Sequence, residues 1–180
     1  MDWKAHLAKS YEFEGRFLEK MPRTDDLTLL VLKGHLLIEE LISSTIDGLL
    51  PNPDALSAVQ LTCFARIRLL MSMLPDDEIR EGTLEAFEKL NAIRNKFGHM
   101  LDPPQIEDHI GAFIGMVERR MQPESTAKDI PLPERLARAI CFLCGQIEAV
   151  SLFYIGALKL MLRNTGYEDA ASQDPTEGEK

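Results

Sequence analysis

The sequence predicts an all-α protein, an up-and-down bundle of about six helices, on three observations. Apolar residues recur at the helical period of 3.6 in every long segment. Strand-type alternation of apolar and polar residues is nearly absent. Pro, Asn, Asp and Gly punctuate the chain at helix-length intervals. A chain of 180 residues is the size of one domain and can bury a core without disulfides or metals. Residues 1–166 read as that domain, and the acid-rich stretch Tyr167–Lys180, without an apolar run, reads as a disordered tail.

The elements follow in order. Trp3 to Lys20 forms a first helix, closed by Pro22. Thr24, followed by Asp25 and Asp26, is placed as the cap of a second helix that runs to about Leu50. After Pro51-Asn52-Pro53, Asp54 is placed as the cap of a third, from Ala55 to Leu74. Pro75-Asp76-Asp77 starts a fourth, from Asp77 to about His99, ended by Asp102-Pro103-Pro104. A fifth runs from about Gln105 to Met121. Pro133, suited to a first helical turn, opens a sixth that runs to about Arg163.

Two of these helices are apolar nearly all the way round. In the second, Leu27, Leu30, Val31, Gly34, Leu37, Ile38 and Leu41 form one stripe, while Leu29, Leu32, Leu36, Ile42 and Ile46 crowd the other side. The sixth carries only Glu148 and Lys159 as charges between Ile140 and Leu162. For the sixth, the central Glu148 would cost roughly 3 kcal/mol in a membrane span. Because a six-helix bundle has limited interior for two such helices, a homodimer interface is expected to cover the excess apolar surface.

Composition narrows the class. The formal net charge of −9 is the wrong sign for broad nucleic-acid binding, so any RNA contact must be local. Arg66, Arg68, Lys96, Arg119 and Arg120 are the cations available for such a patch. Three cysteines and no secretory signal at Met1-Asp2-Trp3-Lys4 fit a reducing, cytoplasmic setting with no membrane anchor. Cys141 and Cys144 have redox spacing but lie in an apolar helix without a second ligand pair, and read as core. His35 and Glu39, four apart, either join a polar cleft, bind a metal or form a polar seam. No cofactor motif is present, and no metal site is assigned.

The pointed feature is Arg94-Asn95-Lys96-Phe97-Gly98-His99. At 100° per residue, Arg94 falls within the apolar stripe formed by Leu84, Phe87, Leu90, Phe97 and Leu101. Arginine is almost never fully buried unpaired, so Arg94 needs an acidic partner, with Glu39 or Glu40 as candidates, or an opening to solvent and ligand. His99 lies on the border of the wet face, on the same side as Asn95. Gly98 loosens the backbone between them.

At these residues the chain resembles the HEPN superfamily, whose motif is Arg, a polar residue, a few more residues, then His, late in a helix. Leu90-Asn91-Ala92-Ile93 before the motif and Leu32-Lys33-Gly34-His35-Leu36-Leu37-Ile38-Glu39-Glu40-Leu41 upstream share the likeness, which spans about Leu27 to Leu101. The resemblance implies a helical bundle that dimerises with its motifs apposed, and often a metal-independent endoribonuclease. Many members are toxins of toxin–antitoxin or phage-defence systems, so RNA and an antitoxin protein are the implied partners. Carried over, Arg94 and His99 are the catalytic pair and Asn95 a polar auxiliary. A helical adaptor that binds another protein and cuts nothing is the alternative.

Overall fold

The computed structural model describes residues 17, 19–50, 52–56, 58–73, 78–120 and 130–164, which form a helical bundle. Five α-helices are defined among them: α1 (Leu27–Leu49), α2 (Cys63–Ser72), α3 (Glu78–His99), α4 (Ile106–Glu118) and α5 (Leu132–Asn164). Most of the helix expected over 3–20 lies outside the described residues. Its described members Phe17, Glu19 and Lys20 are helical, and Phe17 and Met21 are buried in the core. The acidic tail and most of the expected loop over 122–131 also lie outside.

Capping sets the helix starts, and two starts differ from expectation. Asp26, not Thr24, caps α1: its carboxylate accepts from the Leu29 N–H at 3.0 Å, while the Thr24 hydroxyl accepts from Asp26 N–H at 3.1 Å. The two oxygens work in series, and the acid nearer the apolar run takes the cap position. Asp54 opens only a single 3-10 turn, Pro53–Leu56. The long helix starts later, where Thr62 accepts from the Ala65 N–H at 3.2 Å. Val59 is a weak helix former, and the chain bends there before Thr62 supplies an extended-backbone cap.

Helices α1, α3 and α5 pack against one another. Helix α2 lies on α1 and α3, and α4 lies on α3 and α5. The core runs through Leu30, Ile38 and Ile42 of α1, Phe87, Leu90 and Ile93 of α3, Phe113 of α4, and Leu136, Ile140 and Leu143 of α5. Cys144 is buried and Cys141 half-buried in the same helix face, as core side chains. Helix α1 approaches α5 closely at Gly34, where a Cβ would stand 2.7 and 2.8 Å from the Ile140 Cδ1 and Cγ2 atoms. Only a glycine admits that crossing with Ile140 in place. No helix among the described residues is long and apolar enough to cross a membrane.

The faces of α1 divide differently from the sequence wheel. Ile42 and Ile46 join Leu30, Val31 and Ile38 in the core, whereas Leu29 and Leu36 stay exposed. His35, polar and uncounted in either stripe, is buried at 3% exposure. Leu101, expected in the buried stripe of α3, is 99% exposed. The helix ends at His99, so the 100° step no longer applies two residues later.

Candidate functional site

The candidate site lies where α1, α2 and the C-terminal half of α3 meet. Helix α3 brings Asn91, Arg94, Asn95 and His99 to its C-terminal turns, and α1 presents His35 and Glu39 one turn apart. Helix α2 begins there with Cys63, directly after its Thr62 cap.

Arg94 is half-buried and forms no ion pair among the described residues; Glu40, one of its expected partners, is bound instead by Lys20 at 3.0 Å. Its Nη1 donates to the Asn95 Oδ1 at 3.3 Å, a long bond between neighbours on the surface. The same Nη1 lies 3.5 Å from where a Gly98 Cβ would stand, so the guanidinium runs along α3 toward its C-terminal end. Asn95, Gly98 and His99 are all exposed. The motif residues therefore lie on the open, C-terminal end of α3, where a neutral amide tethers the Arg94 cation. Met100 and Leu101, which follow directly, are exposed apolar side chains at 51% and 99%.

Behind Arg94 stands a more buried polar group. His35 Nε2 donates to the Asn91 Oδ1 at 3.0 Å, since an amide oxygen can only accept. The ring packs beside Phe87 with centroids 5.9 Å apart. Burial pushes the His35 pKa below 6.5, opposed by the Asn91 bond and by Glu39, and assisted by the nearby positive charge of Arg94. Cys63 is pushed up to about 12 by burial first and by Glu39 second, with Arg66 and Arg94 pulling the other way. The thiol is thus held protonated and inert by itself. The Glu39 carboxylate, half-buried between these groups, accepts no hydrogen bond and joins no ion pair among the described residues. Ligand atoms of His35, Glu39 and Cys63 all lie within 4.8 Å of one another.

The seam continues one turn further along α1 and α2 as a cavity of about 320 Å³, lined by Ser43, Asp47, Asp54, Leu61 and Arg66 among others. Arg66 closes one wall by donating to the Ser43 hydroxyl at 2.6 Å.

The cations expected to supply a basic patch are not gathered into one. Arg68 pairs with Glu88 and lies over the Phe64 ring, Arg66 is held by Ser43, and Arg120 binds the Gly82 carbonyl and Glu85. Two of the five are thus neutralised by carboxylates, whereas Lys96 and Arg119 form no ion pair among the described residues. His109 and its neighbours Glu107 and Asp108 sit in the first turn of α4, where the acids suit the helix dipole.

Sequence reasoning placed His35 and Glu39 on one face but missed Cys63, because the helix that starts with it was expected to start at Ala55. The Thr-Cys pair at Thr62, where a capping residue precedes an apolar run, is the signal that could have found it. Compared with protein-family models, with curated proteins and with solved structures, the chain matches none.

Proposed function

We propose that this chain is a HEPN-type metal-independent endoribonuclease that works as a homodimer. The observation that carries the reading is the Arg94 guanidinium, half-buried at the open end of α3 without a carboxylate partner, on the same helix end as the exposed His99. A half-buried cation without a carboxylate partner at an opening is suited to an anion from outside, and a phosphodiester is an anion that a neighbouring histidine could act on.

In this reading the ribose 2′-hydroxyl attacks the adjacent phosphorus. The 2′-O–P bond forms, the P–O5′ bond breaks, and a 2′,3′-cyclic phosphate and a 5′-hydroxyl result. One His99 takes the 2′-hydroxyl proton as base, and the partner's His99 gives a proton to the leaving 5′ oxygen. Arg94 holds the phosphoryl oxygens as their charge grows, with Asn95 orienting the guanidinium. Met100 and Leu101 supply exposed apolar surface beside the motif for the second copy to cover, and an isologous dimer apposes the two motifs without further devices. Such an enzyme needs restraint in a cell, and an antitoxin protein of a toxin–antitoxin or phage-defence pair is the partner this reading expects.

The test is cleavage of a mixed, end-labelled RNA in EDTA by the wild-type chain, His99→Ala and Arg94→Ala, with helicity followed by circular dichroism. Products with cyclic phosphate ends from wild type alone support the reading. No cutting by a well-folded wild-type dimer overturns it and favours an adaptor, for which the exposed Leu29 and Leu36 on α1 are a docking surface.

A further inference from the structure

We propose that His35, Glu39 and Cys63 form a binding site for a single transition-metal ion of the zinc class, beside the motif and independent of the RNA chemistry. Three observations carry it. The three side chains bring a nitrogen, an oxygen and a sulfur donor within 4.8 Å of one another. A four-coordinate ion with bonds of about 2.0–2.3 Å places its ligand atoms about 3.3–3.7 Å apart, so small side-chain rotations close the set. The spacing also suits it: His35 and Glu39 are four apart on one face of α1, and Cys63 meets them from the first turn of α2.

The second observation is the orientation of His35. Its Nε2–H is given to the Asn91 Oδ1, which fixes the tautomer and leaves the lone pair on Nδ1. Metal-bound histidines are oriented in this way, with the second ring nitrogen donating to a protein oxygen. The third is the Glu39 carboxylate, half-buried and unpaired among the described residues although Arg94 is near enough to be felt electrostatically by both His35 and Cys63. A carboxylate that passes over a nearby guanidinium, while facing a thiol and an imidazole, has the surroundings of a ligand.

The donor set selects the metal. One thiolate, one imidazole and one carboxylate suit Zn²⁺ or Co²⁺ and exclude the oxygen-only preference of Mg²⁺ and Ca²⁺. Binding exchanges the Cys63 thiol proton for a sulfur–metal bond, and the proton is released to solvent. The thiolate and the Glu39 carboxylate then balance the ion's two charges. Three protein ligands leave a fourth position for water. The ion ties α1 to α2 beneath Arg94, so its occupancy stabilises the seam on which the motif rests.

The experiment uses the full chain, stripped with EDTA, dialysed, and titrated with Co²⁺ alone. The expected result is one equivalent of Co²⁺ with intense visible bands of four-coordinate cobalt and a thiolate-to-cobalt charge-transfer band, both displaced by Zn²⁺. Cys63→Ser loses the charge-transfer band, and Glu39→Gln binds at least tenfold more weakly, whereas Cys141→Ser leaves both bands unchanged. X-ray absorption of the zinc-loaded wild type gives a reading that needs no variant: one sulfur at about 2.3 Å with nitrogen and oxygen neighbours. No cobalt bands, bands that survive Cys63→Ser, or a sulfur-free zinc shell would overturn the proposal. None of these outcomes depends on RNA cleavage, which is assayed in chelator.

Discussion

The most informative substitution in this molecule is Asn91→Ala, because one amide oxygen fixes the buried histidine at the heart of the polar seam. His35 is 3% exposed, and its Nε2–H reaches Asn91 Oδ1 at 3.0 Å. Removing the amide strands a buried N–H, which costs about 1–3 kcal/mol. Alanine is the better helix former at position 91 and returns a few tenths of that. The expected net loss is about 1–2.5 kcal/mol, equivalent to roughly 2–10 °C of melting temperature for a domain of this size. Asn91→Asp keeps an acceptor and retains most of the stability. The double variant His35→Leu with Asn91→Leu removes both polar partners, so it loses less than the two single changes added together. Urea unfolding followed by circular dichroism measures each free energy, and nitrogen-15 NMR of the ring reports whether Nε2 carries the proton. Refutation is plain: an Asn91→Ala protein with unchanged stability, no coupling to His35→Leu, or a ring protonated at Nδ1 would show that this bond does not organise the seam.

Two other predictions concern stability. Burial holds the folded His35 below its ordinary pKa of 6.5, against the Asn91 bond and Glu39 and with the help of Arg94. The unfolded chain therefore takes up a proton that the folded chain resists. In chelator-treated protein the stability is full above about pH 6.5 and falls as the pH drops toward the lowered folded value. His35→Leu removes that component, and a profile that is the same with and without His35 would contradict the assignment. At the α1–α5 crossing, Gly34→Ala places a methyl 2.7–2.8 Å from two Ile140 atoms. The branched Ile140 side chain is stiff, so overpacking of about 1–3 kcal/mol outweighs the helix propensity gained, which is at most about 1 kcal/mol. In an Ile140→Ala background the same Gly34→Ala change becomes neutral or stabilising. Denaturant melts of the four proteins decide it, and an additive outcome would refute the close approach.

The sequence by itself determined that the chain is helical and where three of its helices lie, since period and prolines are local. Helices α3, α4 and α5 stand within a few residues of where Pro75-Asp76-Asp77, Asp102-Pro103-Pro104 and Pro133 place them. It also determined that Arg94 sits on an apolar face and needs an opening or a partner, because desolvation cost follows from residue type and face alone. What the periodicity could not decide is which faces meet. His35 and Glu39 share a face in any helix, but Cys63 joins them only because α2 starts at Thr62 and lies across α1 and α3. Leu29 and Leu36 look no different in sequence from Ile42 and Ile46. The crossing at Gly34 turned α1 so that the latter pair faces the core and the former pair faces solvent. A helical pattern fixes angles about one axis, and only packing between axes fixes what each angle looks at.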